Sequence, residues 1–211
     1  MTEKNAPQLA HDVVLRIVES ENDIQSILAV IYHEGVNWLD HAAQQKGFQP
    51  TADALTKAVQ QDSRPRNVVE IDRARVLNGY LNRVQQQLSH GQLLGILSVV
   101  NVANRERKHI PMMDFRCEIS AQNEQLLRQL LPRIGQQHGF LLNSGRSYHF
   151  YGMQLLSSDD WRKFLGKCLL LRNFVDERYV GHQLVDGHCV LRISASPVKR
   201  TIPAVVFDFS R

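Results

Sequence analysis

The sequence has few cysteines and no long apolar run, and both features exclude classes of protein. Its 211 residues include only three cysteines, Cys117, Cys168 and Cys189, with no CxxC pair. This number and spacing argue against a disulfide framework or a zinc site and favour a reduced, cytoplasmic protein. No run approaches 18 apolar residues, so we expect neither a membrane-spanning helix nor a membrane partner. The N-terminus lacks a basic segment followed by an apolar one, so we expect no signal peptide.

Positive charge is concentrated in the second half of the chain. Residues 1–104 contain 9 Lys or Arg and 11 Asp or Glu, whereas residues 105–211 contain 16 and 10. The net charges are therefore −2 and +6, and they sum to the +4 of the whole chain. A basic half favours an anionic partner such as a nucleotide or nucleic acid. On charge alone, a soluble domain with a solvated basic face is the favoured explanation.

The first ninety residues are predicted to form an N-terminal helical cap, residues 1–90. Apolar residues recur at i, i+3, i+4 and i+7, the spacing of an amphipathic helix, at Ile24, Ile27, Leu28 and Ile31. This helix is predicted to start near Ser20 and to extend towards Gly47. A short helix is predicted after Pro50, and a longer one with a narrow apolar seam over residues 74–88.

Residues 91–211 show a different pattern, in which strands and helices alternate. The segments "LLGILSVVNV" and "IPMMDFRCEIS" are predicted strands, joined by the charged hairpin tip "ANRERKH". A helix over residues 123–138, strands at "GFLLNS" and "RSYHFYGMQL", a helix beginning at Ser157 and strands at "HCVLRIS" and "AVVFDF" follow. We therefore predict an α+β fold, with an N-terminal helical region followed by a mixed or antiparallel sheet domain over residues 91–211.

The turn in "LNSGRSYHFYG" carries a group of residues suited to a phosphate. A Ser-Gly turn can point backbone N–H groups at an anion, and Arg146 adds a planar fork of donors for phosphate oxygens. His149 follows in the next strand, where alternation places it on the same face as Ser147 and Tyr151. An ordinary hairpin is an equally plausible interpretation of this turn.

Upstream, the predicted strand "MMDFRCEIS" places an acid among apolar residues. Burying Asp114 costs desolvation free energy unless another group compensates. Regular alternation would put Asp114, Arg116 and Glu118 on one face. One interpretation is an ion pair between Arg116 and one of the two acids. The other is a carboxylate that holds a divalent cation, with arginine nearby for phosphate.

The segment "DERYVGHQLVDGH" could be read as a metal cluster. The candidate ligands in it are Asp176, His182, Asp186 and His188. We favour a loop and strand edge with scattered polar residues instead, because Gly187 indicates a turn that would interrupt a single strand face.

Together these segments resemble the archaeo-eukaryotic primase (primase-polymerase) superfamily, whose pattern is a strand with Asp-x-Asp, a helix, then Ser-Gly-basic-x-x-His. "MMDFRCEIS", the leucine-rich helix, "NSGRSYH", "FVDERYVGH" and "VLRISASPVKR" follow that order over roughly residues 95–205. The chain is most similar to the bacterial primase 1D-like proteins, which are associated with conflict or defence systems. The resemblance implies an RRM-like primase-type sheet domain.

The resemblance also implies roles for individual residues. Asp114 and Asp176 would be the catalytic metal acids, with Asp186 as the alternative to Asp176. The implied metal ligands are Asp114, Asp176 and Glu118. The implied phosphate-binding residues are Ser144, Arg146, His149 and Arg192, of which Arg192 could face template instead. An active member would use Mg²⁺ or Mn²⁺ to join a nucleotide to a primer 3′-oxygen.

One position departs from the family pattern. The second acid of Asp-x-Asp should stand at residue 116, where this chain has Arg116. An arginine there repels a divalent cation and could supply its charge. The first hypothesis is therefore binding of nucleoside triphosphate or nucleic acid with polymerase chemistry weakened or lost, and no cofactor. The alternatives are an active metal-dependent nucleotidyltransferase, and a non-enzymatic interaction module of a bacterial conflict system that binds a protein partner through the N-terminal helices.

Overall fold

The structure is a computed structural model that describes residues 7–33, 51–53, 56, 67–171, 173–197 and 199–209. Its helices are α1 (Ala10–Ser20), α2 (Arg73–Leu77), α3 (Tyr80–Gln86), α4 (Ala121–Arg133), α5 (Ser158–Leu169) and α6 (Glu177–Asp186). Its strands are β1 (Ile24–His33), β2 (Val68–Asp72), β3 (Gln92–Val102), β4 (Arg107–His109), β5 (Met112–Asp114), β6 (Gly139–Asn143), β7 (Tyr148–Gly152), β8 (Val190–Arg192) and β9 (Ala204–Asp208).

The strands form two antiparallel sheets. The first has the order β2-β1-β3-β4, and β8 also pairs with β3. The second has the order β5-β7-β6-β9. The predicted α+β fold with an antiparallel sheet is therefore confirmed. Within the described residues, no helix has the length and apolar character needed to cross a membrane.

The helix predicted around residues 24–31 is wrong, because this segment is strand β1. It lies between β2 and β3, with Ile27 opposite both Ile71 and Val100. A central strand that is covered on both faces buries adjacent as well as alternate residues, so its apolar positions can imitate helical spacing. The first sheet consequently uses chain from both sides of residue 90. The predicted continuation to Gly47 lies outside the described residues, as does most of the predicted helix after Pro50.

The long helix predicted over residues 74–88 is divided in two. Gly79 has a φ of +73°, a left-handed conformation that glycine adopts without strain, and it separates α2 from α3. Of the predicted apolar seam, Leu81 is buried, whereas Leu77 is 40% exposed and Val76 is buried instead, so the seam packs into the core only in part.

Most elements after Gly91 lie where the sequence predicts them. The predicted hairpin is an exception: β3 pairs with β4, which lies within the predicted tip, and the strand predicted after the tip is β5 of the second sheet. The Ser120 hydroxyl caps α4 by accepting from Asn123 N–H, and the Ser157 hydroxyl caps α5 by accepting from Asp160 N–H. The predicted apolar face of α5 is buried, namely Trp161, Phe164, Leu165 and Cys168.

Strand β7 separates a core face from a cleft face. On the core side, the Phe150 ring lies 6.5 Å from that of Phe164, and the Tyr148 hydroxyl donates to Ser120 O at 2.9 Å. Because successive side chains in a strand point to opposite faces, His149 points to the other side. This alternation, predicted from the sequence, gives the site its central residue.

Candidate functional site

A cleft of about 1080 Å³ lies between the two sheets, beside the first turns of α6. Its volume is slightly above the range of about 300–1,000 Å³ found for small-molecule sites. Tyr32 and Leu191 line it from the first sheet, whereas Asp114 and His149 line it from the second. The cleft therefore collects side chains from segments that are far apart in sequence.

Asp114 and His149 are neighbours across β5 and β7. The two residues are directly opposite in the antiparallel register, and His149 Nε2 lies 3.6 Å from Asp114 Oδ1. The imidazole is only 5% exposed, whereas the carboxylate is 42% exposed to the cleft. Within the described chain, His149 Nδ1 is buried and has no hydrogen-bond partner.

The pKa values of both side chains are shifted in the direction that disfavours the charged form. Burial raises the pKa of Asp114 to about 6, although Lys199 and Arg192 act to lower it. Burial, reinforced by the charges of Arg192 and Lys199, lowers the pKa of His149 to about 3. At neutral pH the imidazole is therefore neutral, and the partly exposed carboxylate is mostly ionised.

The Ser-Gly-Arg turn borders the same cleft, but its first two amides are used internally. Ser144 N–H donates to Ser147 O at 2.9 Å, and Gly145 N–H donates to Asn143 Oδ1 at 2.7 Å. The prediction that these N–H groups face an anion is therefore wrong. The Ser144 hydroxyl likewise donates to Ser147 O at 3.0 Å. The turn presents the side chains of Arg146 and Ser147 to the cleft instead.

Arg192 holds this turn in place. Its Nη1 donates to Ser194 O at 2.8 Å and to Thr201 O at 2.6 Å, and its Nη2 donates to Ser144 O. Arg192 is 6% exposed. The sequence prediction gave it a direct phosphate or template contact, whereas these bonds make it a support for the turn that carries Arg146. Its charge still acts on the cleft, because it affects both Asp114 and His149.

Asp176 lies at the start of a helix, which corrects the interpretation of residues 176–188 as a loop and strand edge. Its Oδ1 accepts from Arg178 N–H at 2.9 Å and from Tyr179 N–H at 3.3 Å, so Asp176 caps α6. Asp176 lines the cleft. The predicted turn at Gly187 is confirmed by its left-handed conformation with φ +74°.

Strand β5 ends at Asp114, but the predicted alternation continues through Glu118, because Asp114, Arg116 and Glu118 line the cleft whereas Phe115 and Cys117 are buried. Phe115 pairs with Val175, and Arg116 N–H donates to Phe174 O at 2.8 Å. Arg116 Nη1 lies 3.6 Å from Glu177 Oε2 at the start of α6. The ion pair of Arg116 is therefore with Glu177, whereas the pair considered from the sequence is with Asp114 or Glu118.

The cleft contains more basic than acidic side chains. Three carboxylates line it, those of Asp114, Glu118 and Asp176. Five permanently basic side chains line it, those of Arg116, Arg146, Arg178, Arg192 and Lys199. This excess favours an anionic ligand.

The residues present do not fit a metal centre held by the protein alone. In the described ranges, no three His, Cys, Asp or Glu side chains lie together as metal ligands. The predicted set of Asp114, Asp176 and Glu118 lines one cleft without forming such a group. Arg116 stands where the second acid is expected, and Asp176 already accepts two N–H groups. A two-ion site needs bridging carboxylates that this arrangement does not supply.

Some cleft residues were missed from the sequence. Tyr32 lies in β1, which was mistaken for a helix, so its position on the cleft could not be expected. Arg178 and His182 are four residues apart, a spacing that puts both on one face of a helix once α6 is recognised.

Comparison with known proteins shows the family of the chain. The family model for the archaeo-eukaryotic primase 1D-like domain matches residues 76–203, more than half of the chain. The chain therefore belongs to the archaeo-eukaryotic primase 1D-like family, as its motifs predict. No curated protein and no solved structure matches it.

Proposed function

We propose that this chain is a primase-fold protein, with an RRM-like second sheet, that binds a nucleoside triphosphate or nucleic acid in the cleft. Its polymerase chemistry is weakened or lost because Arg116 replaces the second metal acid. The observation that carries this proposal is the meeting of Arg146, His149 and Lys199 in one cleft with an excess of basic side chains. Their chemistry matches phosphate oxygens.

Each residue has a distinct part in binding. Arg146 offers a planar fork of N–H donors to one phosphate group. His149 is neutral at pH 7, so one ring nitrogen donates a hydrogen bond and the other accepts. Arg192 acts through the turn, since its bonds to Ser144 O and Thr201 O join the turn that carries Arg146 to the segment at Thr201.

Isothermal titration calorimetry with ATP tests this function. Wild-type protein should bind, and Arg146→Ala and His149→Ala should each weaken binding by about tenfold, the loss of one charge-assisted or buried hydrogen bond. Arg162→Ala is the matched control, because Arg162 is an exposed arginine on α5 that pairs with Asp159 outside the cleft. Unchanged affinity in both cleft variants would refute the assignment.

An active metal-dependent nucleotidyltransferase is the second candidate. Asp114 and Asp176 line the same cleft, which favours it. Primer extension with labelled nucleotide and Mn²⁺ distinguishes the two candidates. Incorporation by the wild type supports this candidate. Incorporation by Arg116→Asp alone shows that only the acid at residue 116 is missing, whereas no incorporation by either protein shows that further parts are absent.

A further inference from the structure

Two of the three carboxylates of the cleft, those of Asp114 and Asp176, already have local contacts. Asp176 Oδ1 accepts hydrogen bonds from two backbone N–H groups at the start of α6. Loss of these hydrogen bonds would leave both N–H donors without an acceptor in the helix. Asp114 faces the neutral imidazole of His149 at 3.6 Å. A divalent cation at Asp176 would therefore compete with the capping N–H groups. Strand β5 would offer that cation one carboxylate, the carboxylate of Asp114.

Arg116 is placed where it can act on the same ligand. The backbone of Arg116 is fixed by its N–H bond to Phe174 O, next to the strand that carries Asp114. Its side chain is 58% exposed and lines the cleft, and Glu177 is 3.6 Å from Nη1 at one side of the guanidinium. A guanidinium keeps its charge at any physiological pH and presents five N–H donors, which suits it to phosphate oxygens.

We propose that the cleft binds the triphosphate group without a divalent cation, and that Arg116 supplies the positive charge that a metal ion would otherwise provide. This inference rests on the proposed nucleotide-binding function. The five basic side chains exceed the three carboxylates of the cleft, so the cleft attracts a free triphosphate more strongly than a less charged metal complex of it. Chelation of that triphosphate by Mg²⁺ or Mn²⁺ reduces its charge and weakens its attraction to the cleft.

The test compares ATP binding by the full chain in EDTA and in excess Mn²⁺. Calorimetry should give an affinity in EDTA that equals or exceeds the affinity in Mn²⁺. Inorganic tripolyphosphate should follow the same order, because the proposed contacts are to phosphate. Binding that requires Mn²⁺ overturns this inference and leaves the nucleotide-binding function intact. The absence of binding under both conditions refutes the function and the inference together.

Variants of Arg116 show whether this residue provides the charge. Arg116→Asp should weaken binding in EDTA by more than about tenfold, and it should weaken binding in Mn²⁺ less, since the new carboxylate can contact the ion. Arg116→Lys should retain most of the affinity in EDTA. Because Arg116 is exposed, we expect these variants to fold. The melting temperature of Arg116→Lys should therefore equal that of the wild type.

Arg162→Asp is the control for the charge reversal alone. Arg162 is 60% exposed on α5 and lies outside the cleft. Its reversal should leave the ratio of the two affinities unchanged. Equal losses in Arg116→Asp and Arg162→Asp would show a general effect of net charge and would overturn the role of Arg116.

Discussion

His149 Nε2 lies 3.6 Å from Asp114 Oδ1, across two antiparallel strands in direct register. These residues are 35 positions apart in the sequence, and the pairing of β5 with β7 brings them together. The burial that lowers the pKa of His149 raises the pKa of Asp114, so each group is shifted towards its uncharged form. The neutral imidazole of His149 can donate a hydrogen bond to a phosphate oxygen.

The two faces of strand β7 should affect different properties, one the free energy of unfolding and the other the affinity for ATP. Tyr148→Phe removes a hydroxyl that donates to Ser120 O at 2.9 Å and accepts from Ser120 N–H at 3.0 Å. We expect a loss of about 1–3 kcal/mol in the free energy of unfolding, because the Ser120 groups lose their partner. Affinity for ATP should remain unchanged, since Tyr148 faces away from the cleft. Urea unfolding and calorimetry on one preparation check both parts, and a loss of affinity would contradict the two-faced arrangement of β7.

A substitution at Gly145 should disturb the turn that carries Arg146. It has φ +105°, and a Cβ there would lie 2.8 Å from Thr201 Oγ1. Gly145→Ala should therefore lower the free energy of unfolding by about 1–3 kcal/mol and weaken ATP binding, because the turn must shift.

Gly166→Ala is the matched control for this substitution. Gly166 lies within α5, and no atom stands within 4 Å of its added Cβ. Alanine there should stabilise the protein by about 0.5–1 kcal/mol. Stabilisation by both substitutions in urea unfolding would show that the turn at Gly145 is not restricted.

Asp114 predicts a pH dependence of stability. Its pKa of about 6 in the folded protein exceeds the ordinary value of 3.8, so the folded state binds this proton more tightly than the unfolded state. The contribution of Asp114 to stability therefore falls as pH rises through this range. Asp114→Asn removes the titration, so the free energy of unfolding of the variant should rise relative to wild type between pH 4 and pH 7.

Urea unfolding at several pH values measures this difference. His149 is present in both proteins, so its own titration largely cancels. Because the Asp114 carboxylate is 42% exposed to the cleft, cleft water reduces the size of the effect without reversing its sign. A relative stability that falls with rising pH would contradict the direction of the shift.

The sequence predicts the second half of this molecule better than the first, for physical reasons. β6, β7 and α5 have local signals: alternation at residues 147–151, and a serine cap before the acids at the start of α5. β1 lacks such alternation because both of its faces are covered, and the frequent β-branched residues in "IQSILAVIYH" were the available sign of a strand.

The site shows the same division. The turn residues and Asp114 could be found because an acid in an apolar strand and a Ser-Gly-Arg turn are unusual locally. The role of Arg192 could not, because its bonds to Ser144 O and Thr201 O join segments far apart in the chain. The capping of α6 by Asp176 was missed because the residues after it were not recognised as a helix.

The most direct measurement of the central claim is the side-chain nitrogen NMR signal of His149 during a titration with ATP in EDTA. The His149 signals should shift over the same range of ATP concentration as the heat of binding. His109 is the internal reference, because it is buried against Trp161 with a ring separation of 4.5 Å and does not line the cleft. Its signals should stay constant. Binding of ATP that leaves the His149 signals unmoved would contradict the cleft as the nucleotide site.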